Sequence, residues 1–306
     1  MLYYLTASIL NETSAAFRVG GPDANTYLQG QFTQDLSRPK GTVCYGLFLN
    51  QKGKVVADGH VLRLGSDECW LVSFSLAASK LRERLEAYLI ADEVEIADET
   101  SEWVRINIWG DSAGAVVAKV SGAVPASADV WSEGRGLRVF RGRASAGENF
   151  EMMVPRAQCE GMEGELKALG ARAADAETAA RERIIGGIPL VPVDLGLNDL
   201  PNEGGLEDVA ISYTKGCYLG QEVMARLKNL GQVRRRLHIV RGEGERPASG
   251  ALLFQGETKA GEVRSVAGDG DGYVAMAMLS LVNLREGEGL SLIAGGPVTI
   301  NVTRCV

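Results

Sequence analysis

Lys215-Gly216-Cys217-Tyr218-Leu219-Gly220-Gln221-Glu222 concentrates the chemistry of this chain. It places one thiol between a lysine and a stretch, Val223 to Leu230, whose apolar residues recur at helical spacing and stop at Gly231. A thiol near a helix N-terminus faces N–H groups without intrahelical partners and the positive end of the helix dipole. Lys215 adds a second positive influence, and both favour thiolate, the reactive form of cysteine. Gly216 and Gly220 permit backbone turns that other residues resist. The competing reading is a packed, inert cysteine in a strand-to-helix turn.

The remaining chemistry is sparse. His60 lies in an alternating run, Gly59 to Leu64, and His238 in a strand beside an arginine cluster. Neither neighbours a metal-ligating residue, so both read as structural or surface histidines. No phosphate-cradling G-x-x-x-x-G-K-[ST] loop is present. Cys44, Cys69 and Cys305 fall within apolar strand patterns and read as core, whereas Cys159 opens a polar helix. With no CxxC pair and no metal-ligand spacing among five cysteines, a stably bound metal is not expected and the thiols read as reduced, which suits a cytoplasmic protein. Arg234-Arg235-Arg236 with Arg226, Lys228 and Arg241 stands out in an acidic chain. It reads either as a solvated basic face or as a site for an acidic tail or acidic partner.

The elements that position these residues are mixed α and β. Strands are expected at Met1–Leu5, 16–19, 43–49, 54–64, 69–74, 94–96 and 103–108, with a turn at Asn50-Gln51-Lys52-Gly53. Helices are expected from Pro22 to Gln29, from Ser79 to Ile90 and near 111–120, 155–169 and 176–185. Residues 186–214 read as a long loop leading to Cys217, and long loops in compact domains are often functional. After Arg236 short apolar runs alternate with glycines: 237–240, 251–254, 261–263, 273–278, 290–293 and 298–302. This predicts a small antiparallel barrel. The expected division is 1–231 and 232–306. Net charge is −7 with pI about 5.1, which argues against general attraction to nucleic acid or membrane. No apolar run reaches the ~18 residues that span a bilayer.

The octet, followed by Ala225-Arg226, resembles the K-G-C-Y-x-G-Q-E signature of the YgfZ family, folate-binding proteins related to the T-protein (aminomethyltransferase) of the glycine cleavage system. Val19 to Ala24 with Tyr27 to Gln31, Leu49 to Asp58, Gly187-Ile188-Pro189 and Leu200 to Glu203 resemble further family segments, so the resemblance runs from about residue 10 to about 240. It implies a three-part α+β ring enclosing a central cavity. It implies an accessory role in the assembly or repair of iron–sulfur enzymes, linked to tRNA modification, with tetrahydrofolate as ligand and iron–sulfur client or assembly proteins as partners. Cys217 and Lys215 would be the working residues; Gly216, Tyr218, Gly220, Gln221, Glu222 and Arg226 would complete the motif. Asp58, Asn202, Tyr213 and Arg236 would contact the folate.

Two departures from the transferases matter. Their hairpin ends in paired aspartates, where this chain has Ala57-Asp58, as is usual in the YgfZ-like branch. Their Arg-Leu-Glu-Ala-Gly carries a carboxylate suited to the pterin, where this chain reads Arg183-Ile184-Ile185-Gly186-Gly187. Weak folate binding and no glycine-cleavage activity are therefore expected, and Ile185→Glu is expected to tighten binding. The alternatives are a folate-dependent one-carbon transferase, although transferases carry aspartate where Cys217 stands, and a non-catalytic folate-binding regulator. On balance the chain does not read as an enzyme.

Cys217 is expected to be the most reactive of the five thiols. Limited iodoacetamide labelling at pH 7, mapped by mass spectrometry, should modify it first; preferential labelling of Cys44 or Cys69 would reject that expectation.

Overall fold

The structure, a computed structural model, describes residues 3–6 and 15–306, with 3–6 and Leu230 described by backbone alone. Three sheets organise the chain. The first contains β2 (Ala15–Gly20), β3 (Val43–Leu49), β4 (Val55–Arg63), β5 (Glu68–Ser73) and β6 (Glu95–Asp98), in the order β3-β4-β5-β2-β6. Helices α1 (Ala24–Gln31) and α2 (Ala78–Glu86) cover one face, burying Tyr27, Leu28, Leu81 and Leu85 against Phe17, Phe48 and Leu71. Nearly continuous apolar, buried runs along β3 and β4 explain the hairpin, and Asn50 Oδ1 closes its turn by accepting from the N–H groups of Lys52 and Lys54.

The second sheet is built from β1 (Tyr3–Thr6), β7 (Trp103–Trp109), β8 (Trp131–Gly134), β9 (Leu137–Arg141), β10 (Asn149–Pro155) and β11 (Arg172–Ala173). It packs on α3 (Ala113–Ser121) and α4 (Cys159–Ala168). The third contains β12 (Arg235–Glu243), β13 (Leu252–Gln255), β14 (Thr258–Asp269), β15 (Gly272–Ser280) and β16 (Ile300–Cys305), all antiparallel. Bridges from Phe254 to Ser291 and from Leu290 to Ile300 connect the outer strands β13 and β16, curling the sheet into a barrel. Between the second sheet and the barrel run α5 (Ala176–Gly186), a long connection and α6 (Gln221–Leu230). Leu195, Leu206, Ala210, Tyr218 and Met224 from this region pack with Leu47 of β3 and with Leu237 and Met276 of the barrel.

The expected elements are present with shifted ends, but four strands, β8 to β11, were not anticipated. β9 and β10 mix polar and apolar residues because they bury charged side chains, Arg138 and Glu151. Helix α2 stops at Glu86, short of the expected Ile90: Tyr27 Oη donates to the terminal carbonyl of Leu85 at 2.6 Å, and Ile90 stands in solvent. The 290–293 and 298–302 runs give one strand and isolated bridges where two strands were expected. Met1 and Leu2 of the expected first strand lie outside the described residues. Cys305, expected in the core, is exposed because β16 pairs on one side with β12 and turns its outer face to solvent.

The first two sheets meet at a buried polar lock. The Arg138 guanidinium sits over the rings of Trp70 and Trp103, at 4.3 and 4.5 Å. Glu99 accepts hydrogen bonds from Trp70 Nε1 (3.0 Å), Trp103 Nε1 (3.3 Å) and Arg18 Nε (2.5 Å). Removing Glu99 leaves the Arg138 charge buried without its nearest counter-charge. Glu99→Ala should therefore lower unfolding free energy by about 3 kcal/mol; urea denaturation followed by tryptophan fluorescence measures it, and a loss near zero would show the lock to be ornamental.

Candidate functional site

A cavity of about 340 Å³ opens where the first sheet, the second sheet and α5 converge. The first sheet supplies Tyr45, Asp58 and His60, with Phe74 and Ser75 just beyond β5; the second supplies Arg105, Asn107, Trp109 and Glu151. Helix α5 supplies Ala176, Ala179, Ala180 and Arg183, a stripe at helical spacing. Ile188, Pro189 and Leu190 close the wall from the start of the long connection.

Most of the charge here is paired. Arg105 donates through Nε and Nη2 to both oxygens of Glu151, each at 2.7 Å, while stacking 3.9 Å over Phe74. Arg183 donates to Asp194 Oδ2 (2.7 Å), to the Ile188 carbonyl (2.6 Å) and to Ser265 Oγ of the barrel (2.9 Å). Asp58 accepts from Tyr45 Oη at 2.8 Å. Desolvation raises the Asp58 carboxyl above the ordinary carboxylate range, and desolvation together with the Asp58 charge pushes Tyr45 well up.

His60, read from sequence as structural, is part of this wall. Its ring stands 4.9 Å from Phe140, 5.3 Å from Tyr45 and 6.2 Å from Phe74. Burial, reinforced by Arg143 and Arg105, drives its pKa down to about 3. Strand alternation could have found it: His60 and Asp58 lie two residues apart and share a face of β4.

The sequence-predicted folate contacts do not converge. Asp58 lines the cavity, whereas Asn202 and Arg236 line a separate surface cleft with Leu227 and Val233, and Tyr213 is hydrogen-bonded to Asn202. Arg236 pairs with Glu207 at 3.2 Å and donates to the Val306 carbonyl at 2.9 Å. Ile185 follows Arg183 by two positions and so stands across α5 from the cavity-lining stripe, more than a third exposed at 37%. The expectation that a glutamate at 185 would reach the ligand is corrected by this geometry.

The motif octet occupies a different surface. Cys217 is exposed and lies ahead of α6, whose N-cap is Gly220. Lys215 does not face the thiol: its buried Nζ donates to the carbonyls of Gln29 (2.7 Å), Phe32 (2.6 Å) and Gln34 (3.0 Å), at the end of α1 and just beyond. All three ammonium protons are used, and burial brings its pKa down to about 8. Tyr218 packs in the core with the Lys215 ammonium 5.2 Å from its ring. Gly220 adopts φ +86°, and a Cβ there would lie 2.8 Å from the Asn50 carbonyl, so the β3–β4 turn seats directly against the motif. Gln221 Nε2 lies 3.4 Å from the Lys215 carbonyl; Gly216, Glu222 and Arg226 are exposed. Within the arginine cluster Arg235 pairs with Asp199 and Glu203, and Arg241 with Asp269, while Arg234 is exposed and the Lys228 ammonium lies 4.0 Å over the Tyr213 ring. Among the described residues no group of three His, Cys, Asp or Glu side chains is placed to hold a metal ion, and no helix is long and apolar enough to cross a membrane.

Residues 11–211 match the GCVT N-terminal domain family, and residues 234–304 match the CAF17 C-terminal beta-barrel domain. The tRNA-modifying protein YgfZ of Edwardsiella ictaluri is 31% identical over 234 residues, covering 74% of this chain and 69% of that protein. The chain belongs to the YgfZ family. The mitochondrial iron–sulfur cluster assembly factor IBA57 of Mus musculus is 28% identical over 294 residues, 87% of this chain and 75% of that protein. The fold of this YgfZ-family chain is also that of the glycine cleavage system aminomethyltransferase T from Bartonella henselae, with a TM-score of 0.84 at 19% identity, covering 98% of this chain and 84% of that one. The expected α+β ring and its terminal barrel are therefore found, in a family whose relatives are named for iron–sulfur cluster assembly and tRNA modification.

The buried, neutral His60 gives a pH signature. Its folded pKa lies below the unfolded value of 6.5, so the unfolded chain takes up a proton that the folded chain refuses, and stability falls as pH drops through 6.5 towards 3. Between pH 6.5 and 5 the parent should lose about 2 kcal/mol more than His60→Phe in chemical denaturation; parallel curves for the two proteins would contradict this.

Proposed function

We propose that this YgfZ-family chain is an accessory protein that supports assembly or repair of iron–sulfur enzymes, tRNA-modifying ones among them, presenting Cys217 to its clients and taking a folate in the central cavity. The observation that carries the reading is the placement of the thiol. Cys217 is exposed on a strut whose lysine is buried, and it does not line the cavity. A thiol displayed outward suits contact with another protein, through a transient mixed disulfide or contact with a cluster in transfer. It does not suit attack on a cavity-bound ligand.

The cavity supports a folate by its make-up: aromatic and small apolar walls for a flat ring, with polar groups from three elements. It is less suited to one-carbon transfer. Ala57 is fully buried and leaves Asp58 as the hairpin's lone carboxylate, already engaged by Tyr45. Cysteine replaces the transferases' motif aspartate. The five unpaired cysteines suit a reducing, cytoplasmic compartment.

The test pairs two measurements. In cells lacking the native gene, iron–sulfur enzyme activity should fall and be restored by the parent chain but not by Cys217→Ser. Calorimetric titration should show tetrahydrofolate binding, with an affinity that Cys217→Ser leaves unchanged. Full rescue by Cys217→Ser would overturn the thiol-centred half, and release of methylenetetrahydrofolate from an aminomethylated carrier at a transferase-like rate would establish the transferase reading instead.

A further inference from the structure

Five acidic or basic residues other than histidine line the cavity: Asp58, Arg105, Arg143, Glu151 and Arg183. Arg105 is neutralised by Glu151, and Arg183 by Asp194. Arg143 has no carboxylate within 4 Å among the described residues; its guanidinium lies over the Tyr45 ring at 4.2 Å. Glu148, just after its loop, is engaged elsewhere, accepting from Gly114 N–H at 2.9 Å and pairing with Arg141 at 3.3 Å. Asp58 is engaged by the Tyr45 hydroxyl at 2.8 Å. Arg143 is therefore the one cavity-lining guanidinium with no carboxylate paired to it among the described residues.

Arg143 is also held in place. Its loop, Gly142 to Gly147, is pinned from inside by the buried Asn149, whose Nδ2 donates to the carbonyls of Ser145 (2.9 Å) and Gly147 (2.8 Å) and whose Oδ1 accepts from Ala144 N–H (3.3 Å). With one N–H directed at the Tyr45 hydroxyl, the guanidinium retains further in-plane N–H groups, the kind that grip a carboxylate with two hydrogen bonds. The small side chains of α5, Ala176, Ala179 and Ala180, line the same cavity and leave room for a flat body.

We propose that Arg143 is the anion anchor of the cavity, gripping the carboxylate of a planar, aromatic ligand. The ligand's name rests on the folate reading; its negative charge rests on the cavity wall alone.

Two matched ligand pairs separate these points. Tetrahydrofolate and 6-methyltetrahydropterin differ in the carboxylate-bearing tail, and 2-naphthoate and 2-naphthamide differ in charge at constant shape. The parent protein should favour the anionic member of each pair. Arg143→Leu should weaken the anions about tenfold or more while moving the neutral members less than about twofold, and Arg143→Lys should recover part of the loss. Thermal melts monitored by circular dichroism establish that the variants are folded. If Arg143→Leu weakens both members of a pair equally, or neither, the anchor is overturned, and tetrahydrofolate binding by the parent would leave the folate reading standing. If the parent binds no tetrahydrofolate but prefers naphthoate, and Arg143→Leu abolishes that preference, the anchor stands and the folate reading falls. No preference for either anion by the parent overturns the anchor outright.

Discussion

The arrangement depends on burying one arginine between two indoles. Arg138 arrives on β9 of the second sheet, Trp70 on β5 of the first, and Trp103 where the second sheet begins. Their contact, closed by Glu99, fixes the angle between the sheets, and the cavity is the space left on one side of that junction. A purely apolar interface of the same area would tolerate sliding, because hydrophobic contact is non-directional. A desolvated guanidinium held over two indoles and facing a carboxylate 4.0 Å away tolerates very little, since small displacements lose electrostatic energy in a medium of low dielectric. Phe140, next but one to Arg138 on β9, meets His60 across the same seam, so the lock and the cavity wall share a strand.

A second set of buried charges ties the barrel to this frame. Asp199 accepts from Arg235 of β12 (2.9 Å) and Arg264 of β14 (3.0 Å), and Asp194 bridges Arg183 to the Ser265 backbone N–H. The long connection that the sequence presents as structureless is therefore the hub between α5 and the barrel. Its carboxylates replace the regular backbone hydrogen bonds that it lacks.

The sheet and helix framework was legible because apolar patterning is a local property, and the hairpin from Val43 to Arg63 announces itself by apolar runs on both sides of a turn. The octet around Cys217 was legible for its rarity, and the buried Cys44 and Cys69 for their neighbours. The missed features are those set by distant partners. Nothing near Lys215 in sequence reveals that its ammonium spans 186 positions to reach the Gln29 carbonyl, so its proximity to Cys217 along the chain misled. His60 looked structural because the aromatic rings around it come from two other strands and a loop. Asn202 and Arg236 were joined to Asp58 by resemblance, yet the fold sends them to another face. Strands β9 and β10 hid because the side chains that make them essential are charged.

The three carbonyls that hold Lys215 have a mechanical consequence for the thiol two residues later. Any movement of the octet that carried Lys215 away would strand three acceptors near α1 and drag a desolvated ammonium through apolar surroundings. Gly220, wedged against Asn50, blocks the other end of the segment. Cys217 is thus mounted like a fixed stylus and not like a swinging arm. A protein built this way does not reach for what it touches, so the search motion in any encounter falls to the other molecule, whose reactive group must be mobile or must protrude.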